Sequence, residues 1–296
     1  MALHLGLILP NYGEAVDAER LATAAVAAEK AGFDSGWVTD HLVVPDEHAE
    51  IYGSIAEALV SLGFLAGRTR RLELGVSALV VPQRSPLVAL KQLTSLDFLS
   101  GGRIVTAVAA GWMEGEFETL GADFDARGRL LDDWLRAAAS VFEQMPGNVR
   151  YDGEALSFEG WFAPPLVRPG GPELWVAGVS RATLRRAAIT GVWHPVALTP
   201  EQLRPMAADL RERRPDARVV LRIGASILDE PRAGEDERGR HALAGPPEWI
   251  AERMQEYADA GCDGFVLNLD YDEPGLEERV ARFGKEVKLL LPRREE

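Results

Sequence analysis

Residues 29–38 read EKAGFDSGWV, and residues 258–267 read ADAGCDGFVL. Each starts at a helix end, passes through Ala-Gly and a spacer to Asp, and leaves in a short apolar run. One turn solution used at two distant points marks a repeated helix-to-strand unit. Working outward, apolar runs at 3–9, 35–38, 72–77, 104–109, 174–177, 192–197, 219–225 and 264–269 predict strands. Between and after them, 16–31, 55–67, 86–99, 127–143, 181–189, a stretch from about 201, 248–260 and 277–290 carry helical spacing. Gly32 suits the left-handed cap that ends the first helix. Eight strand-then-helix units in 296 residues predict an α/β chain folded as a (β/α)8 TIM barrel. Right-handed crossovers would make its strands parallel. A doubly wound open sheet is the alternative. Eight units are many for one open sheet, and no GxGxxG follows the first strand.

No Pro/Ser linker or charge run divides the chain. We therefore expect a single domain over 1–296, with an irregular insertion at about 146–172 and a polar loop at about 229–244. Hydrophobic residues are 47% and charged residues 26%, which suits a folded globular protein and not a disordered or fibrous one. The formal net charge is -14, and an acidic surface repels phosphate backbones and anionic lipid. Neither nucleic acid nor membrane is expected as a partner. The single cysteine, Cys262, fits a reducing compartment, and the opening MALHLGLILPNYG does not read as a signal peptide. A cytoplasmic enzyme acting on a small molecule is the expectation.

In such a barrel the active site is built from the segments that follow the strands. These are Pro10-Asn11-Tyr12-Gly13, Thr39-Asp40-His41, Ser77-Ala78, Ala110-Gly111-Trp112, Ala177-Gly178-Val179-Ser180, Trp193-His194-Pro195, the loop from Asp229, and Asp270-Tyr271-Asp272. His41 and His48 stand seven apart and no HxH or HExxH occurs, so no metal is expected. No Gly-x-Ser-x-Gly elbow is present, and Cys262 reads as packing. Asp40-His41 is the sharpest polar pair. Either His41 contacts a cofactor ring or moves a proton, or both residues tie down their own loop. Gly178-Val179-Ser180 opens a helix, where backbone N–H groups suit a phosphate; Ser180 alone would serve as an N-cap. Ser77-Ala78 reads either as a bulge at the rim or as plain strand. Trp112 and Trp193, with Asn11, are candidates for the substrate pocket, against core packing. Glu114 and Glu116 are expected to be solvated.

Together these segments resemble the luciferase-like monooxygenase superfamily, in its short branch that uses the deazaflavin coenzyme F420. The residues that carry the likeness are GLILP (6–10), AEKAGFDSGWVTDHLVVP (28–45), TRRLELGVSALVVPQRSPLVALKQLTSLDFLSGGRI (69–104), GWMEGEFETLGADFDARGRLLDDWL (111–135) and PELWVAGVSRATLRRAA (172–188). The resemblance implies a barrel, usually a homodimer, with the cofactor at the strand ends. It puts Thr39, Asp40 and His41 near the ring and a cis peptide at Ser77-Ala78. A fourth-strand contact falls at Ala110 and Gly111, and the phosphate loop at Ala177, Gly178, Val179 and Ser180. It departs at Ala107-Val108-Ala109-Ala110-Gly111-Trp112, where the family commonly reads Gly-Val-Gly-x-Gly-Trp, and at Ala177-Gly178, where it commonly reads Gly-Gly.

The function so implied is hydride transfer between F420 and a small organic substrate. His41 would be the ring contact or proton donor, Asp40 its orienter, and the Ser77-Ala78 segment a backstop. Arg84 and Arg181 would offset the acidity of the chain near an anionic cofactor. The alternatives are a two-component monooxygenase using reduced FMN, and a binding barrel that has lost its cofactor.

Overall fold

The first helix starts where chemistry dictates. Asp17 is extended, and its carboxylate accepts the N–H groups of Glu19 and Arg20, each at 2.9 Å. It ends at Gly32, in the left-handed region at φ 78°. The structure, a computed structural model, describes residues 3–13, 16–232, 241–270 and 275–292. In chain order its elements are β1 (His4–Ile8), α1 (Ala18–Ala31), β2 (Ser35–Val38), α2 (Ala49–Tyr52), α3 (Ala58–Ala66), β3 (Glu73–Val80) and α4 (Pro86–Ser100). Next come β4 (Val105–Ala109), α5 (Glu114–Leu120), α6 (Arg127–Gln144), β5 (Gly147–Asp152), β6 (Ser157–Phe162), β7 (Glu173–Ala177) and α7 (Arg181–Thr190). The remainder is β8 (Val192–His194), α8 (Pro200–Arg213), β9 (Arg218–Ile227), β10 (Ala242–Gly245), α9 (Pro247–Asp259), β11 (Gly264–Asn268) and α10 (Leu276–Glu286). This is a (β/α)8 barrel with β1, β2, β3, β4, β7, β8, β9 and β11 as its staves.

Contacts group the chain into two compact units. The first comprises Met1–Pro10, Asp17–Trp37 and Trp175–Glu296. Its staves run parallel in the order β7, β8, β9, β11, β1, β2. Their inward side chains form an aromatic cluster in which Trp37 and Trp175 lie 4.6 Å apart and Trp37 stacks on His194 at 5.6 Å. Trp37, Trp175 and Trp193 are fully buried. Each removes about 200 Å² from water, a gross gain of about 5 kcal/mol before entropy. Ser35 Oγ accepts the Trp37 indole N–H at 2.7 Å and meets His4 Nε2 at 2.7 Å, which joins these three residues, while the buried Trp175 indole N–H has no hydrogen-bond partner among the described residues. The stretch expected as a polar loop at 229–244 ends in β10, which pairs in parallel with β9; residues 233–240 lie outside the described residues.

The second unit comprises Asn11–Val16 and Val38–Leu174. Here β3 pairs in parallel with β4, with a register shift between Ser77 and Leu79 that leaves Ala78 as an extra residue. Strand β3 therefore runs to Val80, beyond the predicted end at 77. The segment expected to be irregular, 146–172, contains the antiparallel hairpin β5–β6, with Val149 opposite Gly160. Asp133 of α6 anchors it. Its carboxylate accepts from Tyr151 Oη at 2.5 Å, from Ala155 N at 2.7 Å and from Leu156 N at 2.8 Å. Among the described residues no helix is long and apolar enough to cross a membrane.

Candidate active site

The segment leaving β2 is held from both sides of Thr39. Asn11 Nδ2 donates to Thr39 O at 2.8 Å and to Ala56 O at 3.0 Å, while Thr39 N donates to Asn11 Oδ1 at 2.8 Å. Asn11 is fully buried, so its amide is committed to fixing this loop. Asp40 follows, also buried. Its carboxylate receives Arg84 through two nitrogens, at 2.5 and 2.7 Å, and the Val80 N–H at 2.8 Å. Arg84 donates in turn to Val80 O at 3.2 Å and to Glu57 at 3.3 Å. Asp40 and Arg84 thus grip the Val80 peptide by its N–H and its carbonyl. Burial pushes the Asp40 carboxyl up, against the pull of the Arg84 guanidinium and the Val80 N–H.

His41 has a different partner. Its Nδ1 lies 2.9 Å from Glu116 Oε2, and both side chains are buried. The other oxygen of Glu116 accepts Leu42 N at 2.5 Å and Val43 N at 3.2 Å. Burial opposes the charge of Glu116, but hydrogen bonds from His41, the Leu42 N–H and Gln83 outweigh it and hold this carboxyl below its usual range. The His41 ring packs on Tyr52 at 4.4 Å and meets the edge of Trp112 at 6.2 Å. Trp112 is 60% exposed and also touches the His48 ring, at 5.3 Å.

Two backbone features border this group. The Ser77-Ala78 peptide is cis and coincides with the bulge, two residues before the gripped Val80. After β4 the chain passes Ala110 and turns at Gly111 with φ 91°, where a Cβ would stand 2.7 Å from both Phe117 and Val80. Only glycine fits that turn. In the first unit, Gly178 has φ 124°, and a Cβ there would lie 2.9 Å from Thr183 Oγ1. Ser180 caps α7 by accepting Thr183 N at 3.2 Å, and Val179 is 52% exposed between Ala177-Gly178 and the cap. Trp193 is fully buried and its indole donates to Gly178 O at 2.7 Å, so it fastens this loop from beneath and lines no open surface.

Besides Trp193, which is core and not pocket wall, the expectations for three charged residues change. Glu116 is not solvated; it is 0% exposed and is the group bonded to His41. Asp40 does not orient His41, because its oxygens are taken by Arg84 and Val80. Arg84 is already committed to Asp40 and Glu57, so its charge is offset before any anion arrives. The sequence held one usable signal for Glu116. GWMEGEFETLG places it two residues into a short helix directly after a strand end, where an acid can turn back toward the rim. Arg181 is exposed at the start of α7, and Tyr271 and Asp272 lie outside the described residues.

The family model for luciferase-like monooxygenases matches residues 4–237. The alkanal monooxygenase alpha chain of Photorhabdus luminescens is 24% identical over 184 residues, which are 62% of this chain and 49% of that protein. The FMNH2-dependent dimethylsulfone monooxygenase of Pseudomonas fluorescens (strain Pf0-1) is 28% identical over 243 residues, 70% of this chain and 65% of that one. The chain spans about half the length of the alkanal monooxygenase relatives it matches. In structure it is similar to an F420-dependent secondary alcohol dehydrogenase in complex with an F420-acetone adduct. That likeness has a TM-score of 0.76 and 17% identity, and it covers 98% of this chain and 99% of that one.

Proposed function

The chain belongs to the luciferase-like monooxygenase family, and from that premise we propose that it is an F420-dependent oxidoreductase acting on a small organic substrate. The observation that carries the reading is the buried His41–Glu116 pair, which follows Asp40, the residue that holds Val80 of the bulged strand β3. Hydride transfer to or from a carbon that bears an oxygen or nitrogen needs a partner that takes or returns a proton, and a carboxylate-bound imidazole suits that work.

Each unit, taken by itself, carries residues that suit one part of a ring-and-phosphate cofactor. On the second unit, Gly111 keeps the segment after β4 free of a Cβ, which would otherwise meet Val80 of β3 and Phe117. On the first, Gly178 clears the approach to the N-terminus of α7, whose dipole favours an anion. When bound, the deazaflavin supplies a two-electron hydride acceptor and donor. Thr39, Ala110 and Gly111, with the Ser77-Ala78 segment, would hold the ring, and His41 would hold or release the proton at its ring nitrogen. On the first unit, Ala177, Gly178, Val179 and Ser180 would hold a phosphoryl group. Asp40 acts from behind, through Arg84 and Val80 on β3. Trp112, the exposed ring next to His41, faces the substrate.

A second reading keeps the barrel and uses reduced FMN with oxygen. It is favoured by the sequence relative named for FMNH2, which at 28% is more similar in sequence than the F420 enzyme at 17%. A third is a binding barrel without cofactor. Titration of the purified protein with oxidised F420 and with FMN, followed by fluorescence, separates them. Saturable binding of F420 is expected. Binding of FMN alone moves the assignment to the monooxygenase, and binding of neither removes both. The proposal includes a cytoplasmic homodimer. Helices α3 and α4 expose Val60, Val88, Phe98 and Leu99, apolar surface that a second copy would cover. Light scattering at twice the chain mass is the expected result.

A further inference from the structure

We propose that Glu116 is a positioning residue that fixes which nitrogen of His41 handles the proton: it keeps the resting proton on Nδ1 and leaves Nε2 as the atom that accepts and returns one. The inference rests on the reading of His41 given above and names the group through which that histidine is set.

The roles of the two carboxylate oxygens follow from what faces them. Oε1 is met by two backbone N–H groups, Leu42 at 2.5 Å and Val43 at 3.2 Å. A backbone N–H only donates, so Oε1 only accepts. Oε2 faces His41 Nδ1 at 2.9 Å. The hydrogen bonds that hold the Glu116 carboxyl below its usual range keep Oε2 an acceptor as well. Nδ1 must then donate, and a neutral imidazole carries one proton, so Nε2 bears the lone pair. The ring cannot easily turn over to exchange its nitrogens. Tyr52 packs on it at 4.4 Å, Trp112 meets it edge-on, and the imidazole is 6% exposed. Asp40, the neighbouring acid, makes no competing claim, since Arg84 and Val80 occupy it.

The same geometry makes Glu116→Gln a sharp test. The Leu42 and Val43 N–H groups require the amide oxygen at the Oε1 position. The amide nitrogen must then face Nδ1, and an amide NH2 only donates. His41 Nδ1 becomes the acceptor and its proton moves to Nε2. A nearly isosteric change inverts the tautomer, and the reacting nitrogen becomes a donor with no lone pair.

Nitrogen-15 NMR of the cofactor-free protein reads this directly, because a protonated and an unprotonated ring nitrogen resonate far apart. His41→Gln removes one signal and so assigns it among the five histidines. In its neutral form, wild-type His41 is expected to carry its proton on Nδ1, and in Glu116→Gln on Nε2. Turnover of the Glu116→Gln protein is expected to fall by about 10²–10⁴-fold, the usual worth of a positioned acid–base group, with KM for cofactor unchanged. A wild-type Nε2–H tautomer overturns the proposal, as does an unchanged Nδ1–H form in the variant. Should Glu116→Gln fail to fold, the wild-type spectrum decides alone. Because the spectrum needs no cofactor, a failed F420 titration would sink the assigned reaction and leave the tautomer result standing.

Discussion

At His41 the side chain does two separable things: it fills a place against Tyr52, and it presents an exchangeable proton. His41→Gln keeps a donor toward Glu116 and about the same bulk while removing the proton chemistry. We expect turnover to fall by about 10²–10⁴-fold while the urea midpoint moves little. Equal losses of turnover and stability would make His41 a loop fastener. Arg84 gives the opposite pattern. Its side chain is 9% exposed against a fully buried Asp40 carboxylate. Arg84→Met strands that charge, and breaking such a buried pair costs about 3–5 kcal/mol. Arg84→Lys should recover only part, since an ammonium cannot span both oxygens. Urea unfolding reads both, and an Arg84→Met protein as stable as wild type would show that Asp40 does not depend on it. Asp40-His41 stood out as a polar pair leaving a strand, and its place at the site was legible. The division of labour was not, because the partners Arg84 and Glu116 lie 44 and 75 residues away and only the fold brings them near.

Elements were read best where period and caps agreed. Strand β2 matches its expected span and α4 begins at Pro86 as predicted. The hairpin β5–β6 escaped because only Val149 of its two strands is fully buried, so the chain offers no apolar run to find. Its hold is Asp133, a polar anchor rather than a core. Asp133→Ala leaves the N–H groups of Ala155 and Leu156 without that acceptor, at about 0.5–1.5 kcal/mol each, since water can reach them. Hydrogen exchange over 147–162 should quicken while protection in α6 persists; unchanged exchange there would place the anchor elsewhere. Strand β8 carries a different signature. Burial pushes the His194 imidazole down to about 3. Above about pH 6.5, the ordinary value, it is neutral folded or unfolded and contributes nothing. Below that the unfolded chain binds a proton that the folded state refuses. Stability then falls by about 1.4 kcal/mol per pH unit until the folded value is reached. His194→Gln should flatten the acid limb of stability by that slope, and an unaltered limb would assign the loss to other groups.

For the molecule as a whole, the alternation of strands and helices was legible because a parallel barrel repeats one unit whose apolar runs are long enough to see. Charge is the whole-molecule property with a consequence for function. A net charge of -14 surrounds a site proposed for an anionic cofactor, and Arg84, the cation nearest His41 in sequence among those named for it, is bound to two carboxylates. Long-range repulsion should therefore slow encounter, whichever phosphorylated pigment binds. Raising the ionic strength from about 0.01 to 0.15 M shortens the screening length from about 30 to 8 Å. The association rate, followed by stopped-flow fluorescence, should then rise with salt, the reverse of the fall seen when a basic cleft steers an anion. Dissociation should change less, because groups in contact at the helix N-terminus are screened less than the distant field. An association rate that falls with salt would mean that a local positive potential at the mouth outweighs the total charge. Arg181, exposed at the start of α7, would be the first residue to substitute in search of it.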